Sequence, residues 1–172
     1  RELAAERLPD HTLVGTIAIA PPADIAVWMG DMLRHVHPRA LPALALAGIA
    51  ATHPDARLGD VLVPRSADAV ERLVDTTCAD ELGHALADLG PRSVVASPPE
   101  STPSWNRYLA EMEPAVRPGA GPLLLVHAAD DPTVPASASA MVKQRACSRG
   151  ESVTRWLAPG GGHSGVITDG FA

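Results

Sequence analysis

Two short stretches of this chain carry residue types suited to proton transfer. The first is Val126-His127-Ala128-Ala129-Asp130-Asp131-Pro132-Thr133-Val134-Pro135. An apolar run ends there, and a pair of acids follows at once in a proline-flanked turn. In open α/β sheets ligands bind beyond the carboxyl ends of the strands, so an acid at that place can orient a histidine. The same two acids could also do no more than cap the turn, because Asp side chains bond the backbone just ahead of them. The second stretch is Pro159-Gly160-Gly161-Gly162-His163, a glycine-rich turn that delivers a histidine. His163 follows Asp131 by 32 residues, which leaves room for one helix and one strand. Two adjacent parallel strands would then present an acid and an imidazole at one sheet edge. That pairing is the orienter and base of a catalytic triad. A histidine in a loop is otherwise simply solvated.

The nucleophile of such a triad does not stand beside them. Serine hydrolases with this layout need a Gly-x-Ser-x-Gly elbow, a strained turn that exposes the hydroxyl. No serine here has glycine on both sides at that spacing. Ser164 has Gly162 two residues before it but Val166 two residues after. The other histidines, His11, His35, His37, His53, His84 and His127, form no metal-ligand spacing. His35 and His37 are two apart and cannot share a helix face. A zinc site is therefore not expected, and no dinucleotide fingerprint or phosphate-binding glycine loop occurs. A net charge of −6 with no basic stripe argues against nucleic acid as a partner. No apolar run reaches the roughly 18–20 residues of a membrane span. The longest, residues 40–51, contains Pro42 and Gly48. Cys78 and Cys147 do not fix the compartment.

The elements that must position these residues alternate at both ends of the chain. Residues 1–8 read as the end of a helix, and residues 12–20 as a buried, β-branched strand stopped by Pro21-Pro22. Helical patterns follow. One runs from an Asp24 cap to about His35, a second spans 38–51, and one or two more lie in 64–89 with Ser66 or Asp68 as cap. Residues 91–103 read as a polar loop and 105–112 as a short amphipathic helix. Residues 122–127 form a second apolar strand, 137–148 a helix with Gly150 as its stop, and 152–157 a third strand. Strand–helix alternation at both ends implies an α/β fold with a parallel sheet. The helical middle then reads as an insertion. The expected organisation is core at 1–20, a helical cap lobe at 21–117, and core carrying Asp131 and His163 at 118–172. Cys78 and Cys147 would lie on different lobes and would not bond to each other.

The segment LLLVHAADDPTVP, followed some 30 residues later by APGGGHSGV, resembles the Asp and His motifs of α/β-hydrolases. Asp131 stands where that family carries its acid, in an Asp-x-x-Val-Pro turn; Asp130 is the lesser candidate. The strand end TIAIAPPADIA, Cys-Ala-Asp-Glu-Leu at 78–82 and Arg-Ala-Cys-Ser-Arg-Gly at 145–150 resemble the secretory lipase family typified by fungal lipase A. The likeness covers nearly the whole chain. It implies the C-terminal part of an α/β-hydrolase parallel sheet with an inserted helical cap lobe. It also implies a secreted enzyme that hydrolyses carboxylic esters, acylglycerols among them, by the Ser-His-Asp route without a cofactor. Its partners would be a lipid or ester substrate and, through the cap, a lipid surface. Trp28, Met29 and Met32 would be core positions or line an acyl groove. In that family the chain order is Ser, Asp, His. The chain opens at Arg1 inside a helix-like pattern and is therefore expected to be a fragment. Its serine elbow would lie upstream, possession of Asp131 and His163 alone would leave it inactive, and Cys78 could pair with a cysteine in the missing part. The rival readings are a non-catalytic hydrolase remnant that only folds or binds, and a peptidase or acyltransferase of the same fold.

Overall fold

The computed structural model describes residues 1–34, 40–89 and 94–168. In chain order its α-helices and strands are α1 (Ala4–Arg7), β1 (Thr16–Ile19), α2 (Ile25–Arg34), α3 (Ala40–Thr52), α4 (Pro64–Leu73), α5 (Ala79–Asp88), α6 (Pro103–Glu111), β2 (Leu123–Ala128), α7 (Ser137–Cys147), β3 (Val153–Ala158) and α8 (Gly162–Thr168). They form two compact units, one of Arg1–Asp24 with Glu113–Ala172 and one of Ile25–Met112.

The first unit holds a three-stranded parallel sheet in the order β1-β2-β3, with Ile19 opposite Val126 and Val126 opposite Trp156. Its central strand is the apolar one: Leu123, Leu125, Val126, His127 and Ala128 are all buried. A central parallel strand is covered on both faces and so tolerates little polarity. Helix α7 buries Ala138, Val142 and Ala146, and α8 buries Val166 in a small cluster with Val126, Ala128 and Ala158. Strand β1 is shorter than the expected 12–20. Its ladder starts where the Thr16 N–H donates to the Pro122 carbonyl at 2.9 Å, the point at which β2 begins. Upstream of that bond Val14 is 85% exposed. Gly121 stands beside this entry at φ 67°, and a Cβ there would come within 2.9 Å of the Leu13 carbonyl. Only glycine fits both demands.

The second unit is helical. Its core gathers Met29, Leu33, Leu46, Leu62, Leu82, Leu86, Trp105 and Leu109, with Trp28 packed against it. Met32 is buried as well. Helix α4 starts ahead of both expected caps, with Pro64 in its first turn, where a missing N–H costs nothing. Ser66 is fully buried instead of capping. The 64–89 stretch is two helices, and α5 opens with the Cys78 N–H donating to Glu81 at 3.2 Å. Within 94–102, expected as loop, there is an isolated bridge between Leu62 and Val95 and a single 3₁₀ turn at Pro99–Ser101. The expectations placed on His35, His37, Pro38 and Pro91 lie outside the described residues. Among the described residues no helix is long and apolar enough to cross a membrane.

Candidate active site

Strands β2 and β3 run side by side and end level, Ala128 against Ala158. Asp130 and Asp131 leave the first of these ends, and Pro159 to His163 leave the second. Parallel pairing therefore brings together two segments some 30 residues apart in the chain.

Asp131 is buried, and each of its oxygens has its own task. Oδ1 accepts the backbone N–H groups of Thr133 at 2.8 Å and Val134 at 2.9 Å. This closes the turn that follows the strand. Oδ2 faces Nδ1 of His163 at 2.8 Å. Burial pushes the Asp131 carboxyl up, but the Val134 N–H, the His163 ring and the Thr133 N–H outweigh it and hold the group below the usual carboxylate range. Asp131 is then an anion at neutral pH and can only accept. The hydrogen between the two side chains must sit on Nδ1 of His163. That leaves Nε2 as the basic nitrogen of the neutral ring. Nε2 makes no hydrogen bond to any described residue, and the imidazole is about one-third exposed. The turn-capping role of Asp131 and its role toward the histidine are not alternatives; one carboxylate performs both.

His127, set aside in the sequence because it fits no ligand spacing, also belongs to this neighbourhood. It is fully buried at the end of β2. Its Nε2 lies 2.9 Å from the Val134 carbonyl and 3.4 Å from Oδ2 of Asp131. Both neighbours are acceptors, so Nε2 carries the hydrogen. Its Nδ1 is buried with no partner among the described residues. The acid turn is thus clamped twice, through the Val134 N–H by Asp131 and through the Val134 carbonyl by His127. A histidine inside an otherwise apolar strand, four residues before the acid, is the signal that could have marked it.

Asp130 is exposed, and its Oδ1 accepts the Gly162 N–H at 2.9 Å. His163 does not hang from a bare turn: it is the second residue of α8. The glycines before it are needed for this, since Gly161 and Gly162 stand at φ 109° and 61°. Ser164, next to the imidazole in sequence, is exposed. Among the described residues no cluster of three or more His, Cys, Asp or Glu side chains could hold a metal ion.

Solved structures share this architecture. Lipase A from Candida antarctica superposes with a TM-score of 0.72 at 17% identity, over 94% of this chain and 40% of that one. The ligand-bound rice cell wall degrading esterase LipA from Xanthomonas oryzae superposes with a TM-score of 0.72 at 19% identity, over 97% of this chain and 47% of that one. The fold is the one these lipase and esterase structures have. A mutant form of the Xanthomonas enzyme agrees, with a TM-score of 0.72 at 20% identity over 97% of this chain and 48% of that one. The chain thus spans less than half the length of each of these structures. No family model matches the sequence, and no curated protein does.

Proposed function

We propose that this chain supplies the acid and the base of a serine ester hydrolase acting on carboxylic esters, acylglycerols among them. The observation that carries the reading is the 2.8 Å contact between Oδ2 of Asp131 and Nδ1 of His163 at the carboxyl ends of two adjacent parallel strands. The ester class is supported by the α/β-hydrolases of the same fold, a lipase and an esterase. In this reading a serine hydroxyl attacks the ester carbonyl and its proton passes to Nε2 of His163. The ester C–O bond breaks, and the same proton goes to the leaving alcohol. Water then cleaves the acyl-enzyme by the same exchange. Asp131 keeps the ring in the Nδ1–H tautomer and stabilises the imidazolium while it lasts.

The 172 residues contain no Gly-x-Ser-x-Gly elbow. The reading therefore requires the serine and its oxyanion donors to come from polypeptide beyond these residues. The helical unit Ile25–Met112, inserted in the chain between β1 and β2, is read as a cap lobe that meets the lipid surface. The secretory lipase likeness supports secretion of the whole enzyme.

The test is hydrolysis of p-nitrophenyl esters by the product of the whole reading frame and by residues 1–172 alone. Expected are turnover by the former and none above buffer by the latter. His163→Ala should lower kcat of the active form by at least about 10³-fold. A reading frame that adds no nucleophile, or turnover indifferent to His163→Ala, would overturn the proposal. The first of those outcomes would favour a non-catalytic remnant of the fold.

A further inference from the structure

The acid pair at the end of β2 divides its work between two parts of the histidine loop. Asp131 holds the His163 side chain through Oδ2. Asp130 holds the backbone one residue earlier, through the Gly162 N–H at 2.9 Å. Its second oxygen lies against the same loop: a Cβ on Gly160 would meet Oδ2 at 3.5 Å, an ordinary contact distance. The Asp130 carboxylate therefore lies along the glycine run from Gly160 to Gly162. That run has few other ties. Beyond the end of β3, and apart from the bonds inside α8, the one further backbone bond of the loop among the described residues is Gly165 N–H to the Gly161 carbonyl, which is internal to it. Two glycines at positive φ, Gly161 and Gly162, carry the turn. A loop of glycines has the most conformational freedom to lose, so a fixed imidazole needs an anchor outside the loop.

From these contacts we infer that Asp130 is a positioning residue for His163. It acts as a hydrogen-bond acceptor that ties the Gly162 backbone to the β2 end and so presents the imidazole to Asp131. This rests on reading His163 as the base. Asp130 touches no reacting atom. It is exposed, so its removal leaves no cavity in the core.

The test is NMR on the whole 172-residue chain labelled with ¹⁵N, in wild type, Asp130→Ala and Asp130→Asn. Two signals are followed. One is the Gly162 backbone amide. The other is the downfield Nδ1–H proton of His163, assigned by its loss in Asp131→Ala. In Asp130→Ala the Gly162 amide should exchange with water roughly tenfold faster, the scale of one net hydrogen bond. The Nδ1–H proton should broaden or vanish, while the amides of β2 and β3 keep their protection. Asp130→Asn retains a side-chain oxygen acceptor and should rescue both signals. Unchanged signals in Asp130→Ala would overturn the inference. So would failure of Asp130→Asn to rescue, which would assign the effect to charge, or loss of protection in β2 and β3, which would make Asp130 a fold residue. Neither signal depends on ester turnover, so this inference and the hydrolase reading fail separately.

Discussion

At the residue scale, Asp131 is the centre of the arrangement because one buried carboxylate satisfies two backbone donors and one imidazole. Its depressed pKa gives a stability effect of definite sign. A group whose folded pKa lies below its unfolded value stabilises the fold fully above the unfolded pKa. That contribution is lost as pH falls through the folded value. The window for Asp131 therefore opens near the ordinary value of about 3.9 and extends below it. Asp131→Asn cannot ionise. The stability gap between wild type and Asp131→Asn should be largest near neutral pH and narrow as pH drops below about 4. Urea unfolding at a series of pH values measures it, and a gap constant from pH 7 to 3 would contradict the ionised, hydrogen-bonded carboxylate. In the hydrolase reading, Asp131→Asn would also cost far more activity than its volume suggests. An amide N–H facing His163 would force the hydrogen onto Nε2, the wrong nitrogen for a base.

At the element scale, the histidine is delivered by a short helix whose entry is written in glycine. Gly162 stands at φ 61°, which disfavours any side chain, while Gly160 has room for a Cβ and no positive φ. Gly162→Ala should therefore destabilise the sheet unit by about 1–3 kcal/mol, the usual cost of a left-handed non-glycine residue. Gly160→Ala should leave stability within about 0.5 kcal/mol, as substitutions outside strained or packed sites do. Denaturant unfolding of both variants separates these cases, and equal effects would show that the backbone conformation is not what the run supplies. The same logic explains the parallel pair that carries the site. β2 and β3 are six residues each and end in register, so their following loops emerge together. The four-residue β1 contributes no residue to the acid–base pair.

At the scale of the whole molecule, each unit has its own core, but the sheet unit leaves apolar surface uncovered. Val14 and Ile17 are strongly exposed, and Ile19, Trp156 and Leu157 are partly so. Ile17 and Ile19 share a face of β1, which is an edge strand in the described sheet. Exposed apolar faces beside an open strand edge favour association. The chain should elute from size exclusion as a concentration-dependent mixture, and Ile17→Lys should shift it toward monomer without lowering the melting temperature. A monodisperse wild-type monomer with a sharp cooperative melt would contradict this.

Much of the site was legible because its signals are local. An apolar run ending in Asp130-Asp131, and a glycine run ending in His163, require only neighbouring residues to read. Strand and helix alternation then implied the parallel sheet, since apolar strands joined by helices have few other ways to bury both faces. What sequence alone left open was which oxygen bonds what. Asp131 as a turn cap and Asp131 as the histidine's partner looked like rivals, because the chain does not record that the two oxygens of one carboxylate face different directions. The inward turn of His127 and the bond from Asp130 to Gly162 are contacts of the tertiary structure alone, the second spanning 32 residues. The true length of β1 was hidden for the same reason. Residues 12–15 have strand composition, but a strand exists only where a partner lies, and the partner begins at Leu123. Local chemistry determined which side chains could act; the register of β2 against β3 decided that they meet.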